Sequence, residues 1–493
     1  MNSHRMNSQN VDQELSRVSK NTLIYSVGNI GVKSVTFLLI PLYTRYLSTY
    51  EVGIIILLEL LEVLYNYVAP LGMLNSLWRF FNVEKSSGNE KRLIFSHFFF
   101  ILISNAVLLI FLIPLSRLVA QYYLSDASFT KLLQLFFVAL FLGLARVFIL
   151  TLLRIIEKAL LFTVVVLIDF VLLIGLTIWF VVGFKLGLWG VIYAKLIAST
   201  LIFIIAVVHV IKSYRVHFYF ANVKRSLRYG FPLIFHGIGL LILTMSDRLI
   251  IKQLISTEAS GIYGIAYKFG MILNMVLVTP FVQAWQPIMF RLENAPDQKI
   301  TYQKIALHFT QIGILVWLMV SVLSRYLLQV STVEAYHSAY IIIPWIAFSY
   351  LLYGLQNVFK SGALLHLKSL QMTGFSLITA AMNILLNFLL IPAWGILGAA
   401  IATIVSYLFL MLLVLRLSQK VLFINWRWHK MLATVFLGVG VFSLSLVRIH
   451  HTYLNFAKDF GLILLLPVAM ILLKLISLKE IKRQVVNFVH GAP

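Results

Sequence analysis

The chain contains no cysteine, which excludes disulfides, thiolate metal sites and thiol catalysis together. Acidic residues are scarce, with 17 Asp and Glu against 40 Lys and Arg among 493 residues. Charge of either sign makes up only 12% of the chain, where a soluble protein carries about 25%. No G-x-x-x-x-G-K-[ST] loop, H-E-x-x-H helix, G-x-S-x-G elbow or strand-bound dinucleotide loop occurs. No catalytic constellation, metal site or cofactor is therefore expected, and the chain does not read as an enzyme. Long polar stretches are missing too: the largest gaps between apolar runs are 82–92, 212–227 and 291–303. None has room for a catalytic or nucleotide-binding domain outside a membrane.

What the chain has instead is apolar side chain. It is 61% hydrophobic with a mean hydropathy of +0.94, more than a soluble core can hide, so the solvent is bilayer. A crossing of about 30 Å takes roughly 20 apolar residues. Fourteen such windows follow: 21–43, 52–75, 93–116, 132–153, 160–182, 187–211, 230–251, 261–283, 304–327, 338–359, 371–391, 395–415, 431–448 and 456–478. Backbone amides facing lipid find no water, so these windows are helices. The expected fold is an all-α integral membrane protein of about fourteen transmembrane helices.

The net charge of +23 would suggest nucleic acid in a soluble protein. Here the basic residues sit in short loops beside apolar spans, which reads as topology. Loops on the side of the N-terminus hold 27 Lys and Arg and the opposite loops hold 9. The positive-inside rule then places both termini in the cytoplasm. A bacterial inner-membrane protein is expected. Residues 1–20 are polar and lack an apolar h-region, so no cleaved signal is predicted and the first span serves as the entry signal. His97, His217, His308, His337, His366, His429, His450 and His451 lie mostly at span ends, as interfacial residues do. His236 falls inside span seven, where a satisfied interior histidine is expected.

The sequence also repeats itself. Leu47-Ser48-Thr49-Tyr50-Glu51-Val52-Gly53 returns about 208 positions later as Ile255-Ser256-Thr257-Glu258-Ala259-Ser260-Gly261. Leu188-Trp189-Gly190-Val191-Ile192 returns about 205 positions later as Ala393-Trp394-Gly395-Ile396-Leu397. An even number of spans separates the copies, so both point the same way through the bilayer. The expected organisation is a cytoplasmic segment 1–20, an N-lobe 21–211 of helices 1–6 and a basic linker 212–229. A C-lobe 230–415 of helices 7–12, helices 13–14 within 416–478 and a cytoplasmic tail 479–493 complete it. The lobes would be parallel repeats about a pseudo-twofold axis along the membrane normal, with a cleft between them.

Ionisable residues at membrane depth are the candidate functional groups, because each costs a few kcal/mol there. Lys33, Lys195 and Asp169 come out near the midplane, with Arg146 slightly to the cytoplasmic side. Lys268 and the pair Glu59 and Glu62 lie in the other half. The spacing i, i+3 puts both glutamates on one helix face. Two readings stay open: mutual neutralisation, or a water-filled cavity whose cations attract an anionic substrate while the carboxylates serve ion coupling.

Several phrases carry a family resemblance. Pro41-Leu42-Tyr43-Thr44-Arg45-Tyr46-Leu47-Ser48 with Glu51-Val52-Gly53 is one; Tyr229-Gly230-Phe231-Pro232-Leu233 with Ser246-Asp247-Arg248 is another. Gly261-Ile262-Tyr263, Ala266-Tyr267-Lys268 and Ala284-Trp285-Gln286-Pro287 follow. The last is Asn383-Ile384-Leu385-Leu386-Asn387 with Ile391-Pro392 and the run Gly395–Thr403. In order and at these spans they resemble the polysaccharide-transporter branch of the multidrug/oligosaccharidyl-lipid/polysaccharide (MOP) exporter superfamily, which includes the O-antigen flippases. The resemblance covers helices 1–12. It implies flipping of a polyprenyl-pyrophosphate-linked oligosaccharide from the cytoplasmic to the periplasmic leaflet, with membrane lipid around it. A polysaccharide polymerase and a chain-length regulator would be partners; nucleic acid would not.

On that reading Lys33, Arg146, Lys195 and Lys268 would line a cationic cleft for the pyrophosphate. Glu59, Glu62, Asp169 and Asp247 would serve ion coupling or charge pairing. Gly28, Asn29 and Gly31 in helix 1 would permit a bend, with close helix packing as the plainer role for the glycines. Three rivals were weighed against it. A cation/drug antiporter of the same superfamily should favour acids in its cleft. The lipid II flippase branch has a basic N-terminal opening, where this chain begins with polar residues. A multi-span polymerase, ligase or glycosyltransferase should carry a sizeable periplasmic loop.

Overall fold

The computed structural model describes residues 37–214, 218–293, 296–366, 368–447 and 452–475. Lys33, Gly28, Asn29, Gly31, His217, His450, His451 and both terminal segments lie outside the described residues, as does most of span 21–43. The described residues are helical throughout, with no strand. Ten helices are long and apolar enough to cross a membrane, or eleven if the bent pair Glu334–Ile341 and Ile343–Phe359 is one span. One of the ten, Gln371–Val421, has 51 residues. At 1.5 Å per residue it is about 76 Å long, twice what a bilayer needs, and it breaks at Gly395 (φ 58, ψ −143). The sequence windows 371–391 and 395–415 are its two arms.

The chain forms two compact units that divide at Leu241 and Ile242. The first unit holds the helical residues 37–46 (α1), α2 (Thr49–Val68), α3 (Met73–Ser86), α4 (Glu90–Leu118), α5 (Thr130–Ile155), α6 (Ala159–Thr177), α7 (Gly187–Tyr214) and the first part of α8 (Phe220–Leu254). Its core is the packing of α5 against α4, α6 and α7. Hydrogen bonds between helix ends fix which ends share a face. The Glu51 carboxylate at the start of α2 accepts from Leu188 N–H at the start of α7 (3.1 Å). Tyr123, just past α4, donates to the Leu57 carbonyl of α2 (2.8 Å). On the opposite face Arg225 of α8 meets Glu84 of α3 (2.6 Å), and Tyr219 N–H donates to Ser96 of α4 (2.9 Å). α2 and α3 therefore run the same way as one long span, Thr49–Ser86, and α4 returns beside them.

The phrase around Gly230 has a packing reason. A Cβ on Gly230 would strike the backbone of Gly72, and one on Gly72 (φ 75) would strike that of Gly230. Only hydrogen at both positions lets α8 touch the turn between α2 and α3, a contact of the small-residue kind. Ser76 seals it by donating to the Ser226 carbonyl (2.7 Å). So the second half of the stretch 212–229 is helix packed on α3.

The second unit holds the end of α8, α9 (Thr257–Gly270), α10 (Thr279–Arg291), α11 (Gln298–Ser331), α12 (Ile343–Phe359), α13 (Ser361–Leu365), α14 (Ser369–Val421), α15 (Trp428–Ser445) and α16 (Thr452–Leu472). α12 packs against α9, α11 and α14, while α15 and α16 lean on α11. Gln311 near the start of α11 donates to the Leu475 carbonyl beyond α16 (2.8 Å). Tyr326 near the end of α11 donates to Asp459 near the start of α16 (2.6 Å). These two helices are thus antiparallel.

The repeated phrases are helix starts. Ser48 caps α2 and Ser256 caps α9, each side chain accepting from the backbone N–H three residues on. The second echo changes register. Gly187 (φ 55) and Gly395 (φ 58) are the left-handed residues that open their helices, and they lie 208 apart, as the serines do. Gly190 and Gly398 follow each by three, and in both the missing Cβ would press the backbone of the preceding helix. The Trp-Gly match at about 205 was therefore offset by three residues. The marks common to both units are a serine cap and a G-x-x-G helix start.

Candidate functional site in the membrane interior

In the first unit the Ser48/Glu51 capping box starts α2 and so sets the phase that puts Glu59 and Glu62 on one face. Across from them α5 carries Arg146, α6 carries Asp169 and α7 carries Lys195. The Arg146 guanidinium bonds the Asp169 carboxylate at 2.9 Å. The Lys195 ammonium bonds the Glu62 carboxylate and lies 5.4 Å from the centroid of the Phe136 ring. Arg146 is also within electrostatic reach of Glu62, and Tyr43 within reach of both glutamates. Four helices thus converge two cations and two carboxylates about 12–20 Å from their helix ends, by the 1.5 Å rise. The side chains of the two pairs are 17–28% exposed. Each charge is partnered, as the cost of a bare ion at this depth requires.

A second polar cluster lies in the other unit. Asp247 and Arg248 of α8 are buried at 3% and 6% exposure. Tyr263 donates to the Asp247 carboxylate at 2.6 Å. The Arg248 guanidinium lies 3.6 Å from Asp247, donates to the Thr244 carbonyl (3.0 Å) and stacks 4.2 Å over Tyr267. Tyr350 of α12 donates to Tyr267 (3.2 Å), and Ser260 donates to the Arg248 carbonyl (3.0 Å). Lys268 is buried in α9. At the end of α12 the Lys360 ammonium donates to the Asn357 amide oxygen at 2.6 Å. Burial holds Lys360 below the usual lysine range.

Of the candidate residues, the structure gathers Arg146, Asp169, Lys195 and Glu62 in one unit. It sets Asp247 apart, in the second unit, with a different partner set. Arg248 and Lys360 both adjoin span ends, 251 and 359, yet Arg248 is buried. Its burial depends on aromatic partners from α9, which a charge count cannot see. His97 corrects the interfacial expectation: it is fully buried, with Nδ1 2.8 Å from the Leu93 carbonyl. A polar bridge also ties the arms of α14, where Asn383 donates to Ser406 (3.1 Å) and Asn387 to Asn383 (3.1 Å). Among the described residues, no group of three His, Asp or Glu side chains gathers as a metal site would.

The family model described as "Polysaccharide biosynthesis protein" matches residues 18–293, more than half of the chain. The chain belongs to that family. No curated protein sequence matches it. Among solved structures it is similar to the lipid II flippase MurJ in an inward closed conformation. The TM-score is 0.71 at 14% identity, covering 92% of this chain and 99% of that one. An inward-facing MATE multidrug-resistance transporter of the MOP superfamily gives 0.61 at 12%, covering 82% and 97%. A Vibrio cholerae MATE transporter gives 0.58 at 15%, covering 82% and 96%. The fold of this polysaccharide biosynthesis family member is accordingly that of the MOP exporters, a multi-pass membrane architecture of transporters and flippases.

Proposed function

We propose that the chain flips a polyprenyl-pyrophosphate-linked oligosaccharide from the cytoplasmic to the periplasmic leaflet. The sugar would serve a surface polysaccharide such as O-antigen, capsule or exopolysaccharide. The observation that carries this reading is the convergence of Arg146 and Lys195 at mid-depth on carboxylates that can be exchanged for another anion. A pyrophosphate is multiply charged and its sugar hydrated, so neither enters hydrocarbon unaided. Two cations in one unit are able to neutralise the head group while the lipid tail stays in the bilayer. Arginine adds a planar fork that fits phosphate oxygens two at a time. Lys33 and Lys268 are further candidates for the same path. Lys360 is another, since its ammonium meets an amide rather than a carboxylate. Asp247 and Glu59 are candidates for charge pairing or ion coupling.

On this reading the two repeats rock about a cleft in the inner membrane, with both termini cytoplasmic. A polymerase and a chain-length regulator would take up the product. A second reading, flipping of lipid II, is favoured by one observation: the MurJ match extends over 92% of this chain, against 82% for the MATE transporters. Both readings share a lipid-linked sugar as cargo. The test is to delete the gene and locate the lipid-linked intermediates. Accumulation of oligosaccharide-lipid on the cytoplasmic leaflet supports the first reading. Unpolymerised units on the periplasmic leaflet would instead mark a polymerase, and loss of cell-wall precursor export with intact surface glycan would select lipid II.

A further inference from the structure

The second unit has a small cationic pocket of its own. Arg325 and Gln329 lie four residues apart on α11 and so share a face. The chain then turns back as a 3-10 helix, Glu334–Ile341, which brings His337, Ser338 and Tyr340 opposite them. These five side chains line a pocket of about 170 Å³. The Arg325 guanidinium lies 5.6 Å from the Tyr340 ring centroid. The ring holds one face of the cation but leaves its N–H edge to point elsewhere. His337 Nε2 lies 3.3 Å from the Thr332 carbonyl, so that nitrogen is the donor and the imidazole is fixed against the end of α11. The lining therefore combines a cation with amide and hydroxyl donors. The one carboxylate on this turn, Glu334, is not part of it.

Exposed apolar residues adjoin the lining residues in sequence: Val330, Val333 and Ile341 are 74%, 39% and 48% exposed. In a membrane-spanning helix such residues face acyl chains. Arg325 stands within two turns of the α11 C-terminus, the depth at which lipid head groups meet the hydrocarbon. A plainer role exists for Arg325, as a cation that complements the C-terminal helix dipole. That role explains neither the donors gathered from the 3-10 turn nor the pocket between them.

We propose that this pocket binds the phosphate of an anionic phospholipid, with the acyl chains lying along the apolar rim that Val330, Val333 and Ile341 supply. A free phosphate shares the head-group chemistry but makes no use of the rim. The test uses the full-length protein in detergent, with phosphatidylglycerol, phosphatidylcholine or inorganic phosphate added and adducts counted by native mass spectrometry. The wild type should retain phosphatidylglycerol in preference to phosphatidylcholine. Arg325→Gln should weaken that preference about tenfold, the scale of one charge-assisted hydrogen bond. Arg325→Lys should lie between, keeping the charge without the fork, and Gln329→Ala supplies a second variant if Arg325→Gln unfolds. Equal retention of phosphatidylglycerol by folded Arg325→Gln and wild type would overturn the proposal. Displacement of the lipid by low-millimolar inorganic phosphate would overturn the lipid assignment in favour of the free anion.

Discussion

Replacing Lys195 with Gln removes the counter-charge of Glu62 and asks what that pair does. Both side chains are 23% exposed, so the pair is mostly withdrawn from water. Breaking a fully buried pair costs about 3–5 kcal/mol, because the surviving ion is stranded. Partial exposure screens this, and about 2–3 kcal/mol is expected for Lys195→Gln and for Glu62→Gln. The double variant leaves two amides able to bond each other and should recover most of the loss. A double-mutant cycle on detergent-solubilised protein should therefore give a coupling of about 3 kcal/mol or more. The same variants are then scored for surface polysaccharide. If the cation serves cargo as well as Glu62, the double variant should regain stability without regaining export. Single variants as stable as wild type, with a coupling under about 0.5 kcal/mol, would refute the structural pairing. A double variant that restores export would refute the cationic mechanism.

Other perturbations test separate links. Gly187→Ala should destabilise more than Gly395→Ala: both glycines have positive φ, but a Cβ at Gly187 would lie 2.8 Å from the Glu51 carboxylate, whereas Gly395 has open space. The second change should cost about 1–3 kcal/mol, because φ 58 with ψ −143 is a conformation nearly reserved to glycine, and unfolding of the two variants measures the difference. Lys360→Gln should leave the protein folded or slightly more stable while lowering export, since a desolvated cation is removed. Because the folded state holds the Lys360 pKa below the lysine range, its charge opposes folding at neutral pH. Stability should rise as pH climbs toward that range, and Lys360→Gln should flatten the rise. Reporter fusions at the C-terminus and within 212–229 should both read cytoplasmic, and a periplasmic signal at either would sink the topology drawn from basic residues.

Much of the fold was legible because hydrocarbon leaves a chain so few options. Runs of about 20 apolar residues had to be helices, and the Ser48 and Ser256 caps announced themselves as repeated phrases. The G-x-x-G register at Gly187 and Gly395 was harder, because the two tryptophans offered a more conspicuous match three residues away. Only the backbone reveals which glycine is left-handed. At the site, depth counting found Arg146, Lys195, Glu62 and Asp169, since each is costly wherever it lies in a span. It could not assign partners: which carboxylate a cation meets depends on the rotation of α5, α6 and α7 about their axes. Arg248 shows the opposite failure. It sits near a span end, where a cation normally reaches water, yet Tyr267 and Asp247 hold it inside.

A carrier for a pyrophosphate in hydrocarbon has to solve a problem that the paired charges state plainly. An empty cationic site at mid-depth costs a few kcal/mol per bare ion, so the unloaded protein needs temporary anions there. On the proposed function, Glu62 and Asp169 would be those anions. When a pyrophosphate takes Arg146 and Lys195, each carboxylate loses its cation in a poorly hydrated interior, where the charged form of an acid is strongly disfavoured. Glu62, whose ionised form Lys195 and Arg146 support against burial, should then take up a proton. Cargo binding and proton binding become one equilibrium, and by linkage each strengthens the other. Adding a lipid pyrophosphate to purified protein in weakly buffered detergent at neutral pH should raise the bulk pH, read with a soluble indicator dye. Glu62→Gln should abolish the uptake owed to that residue. Tight cargo binding with no proton uptake would show that the carboxylates keep their cations, and that the pyrophosphate is held elsewhere.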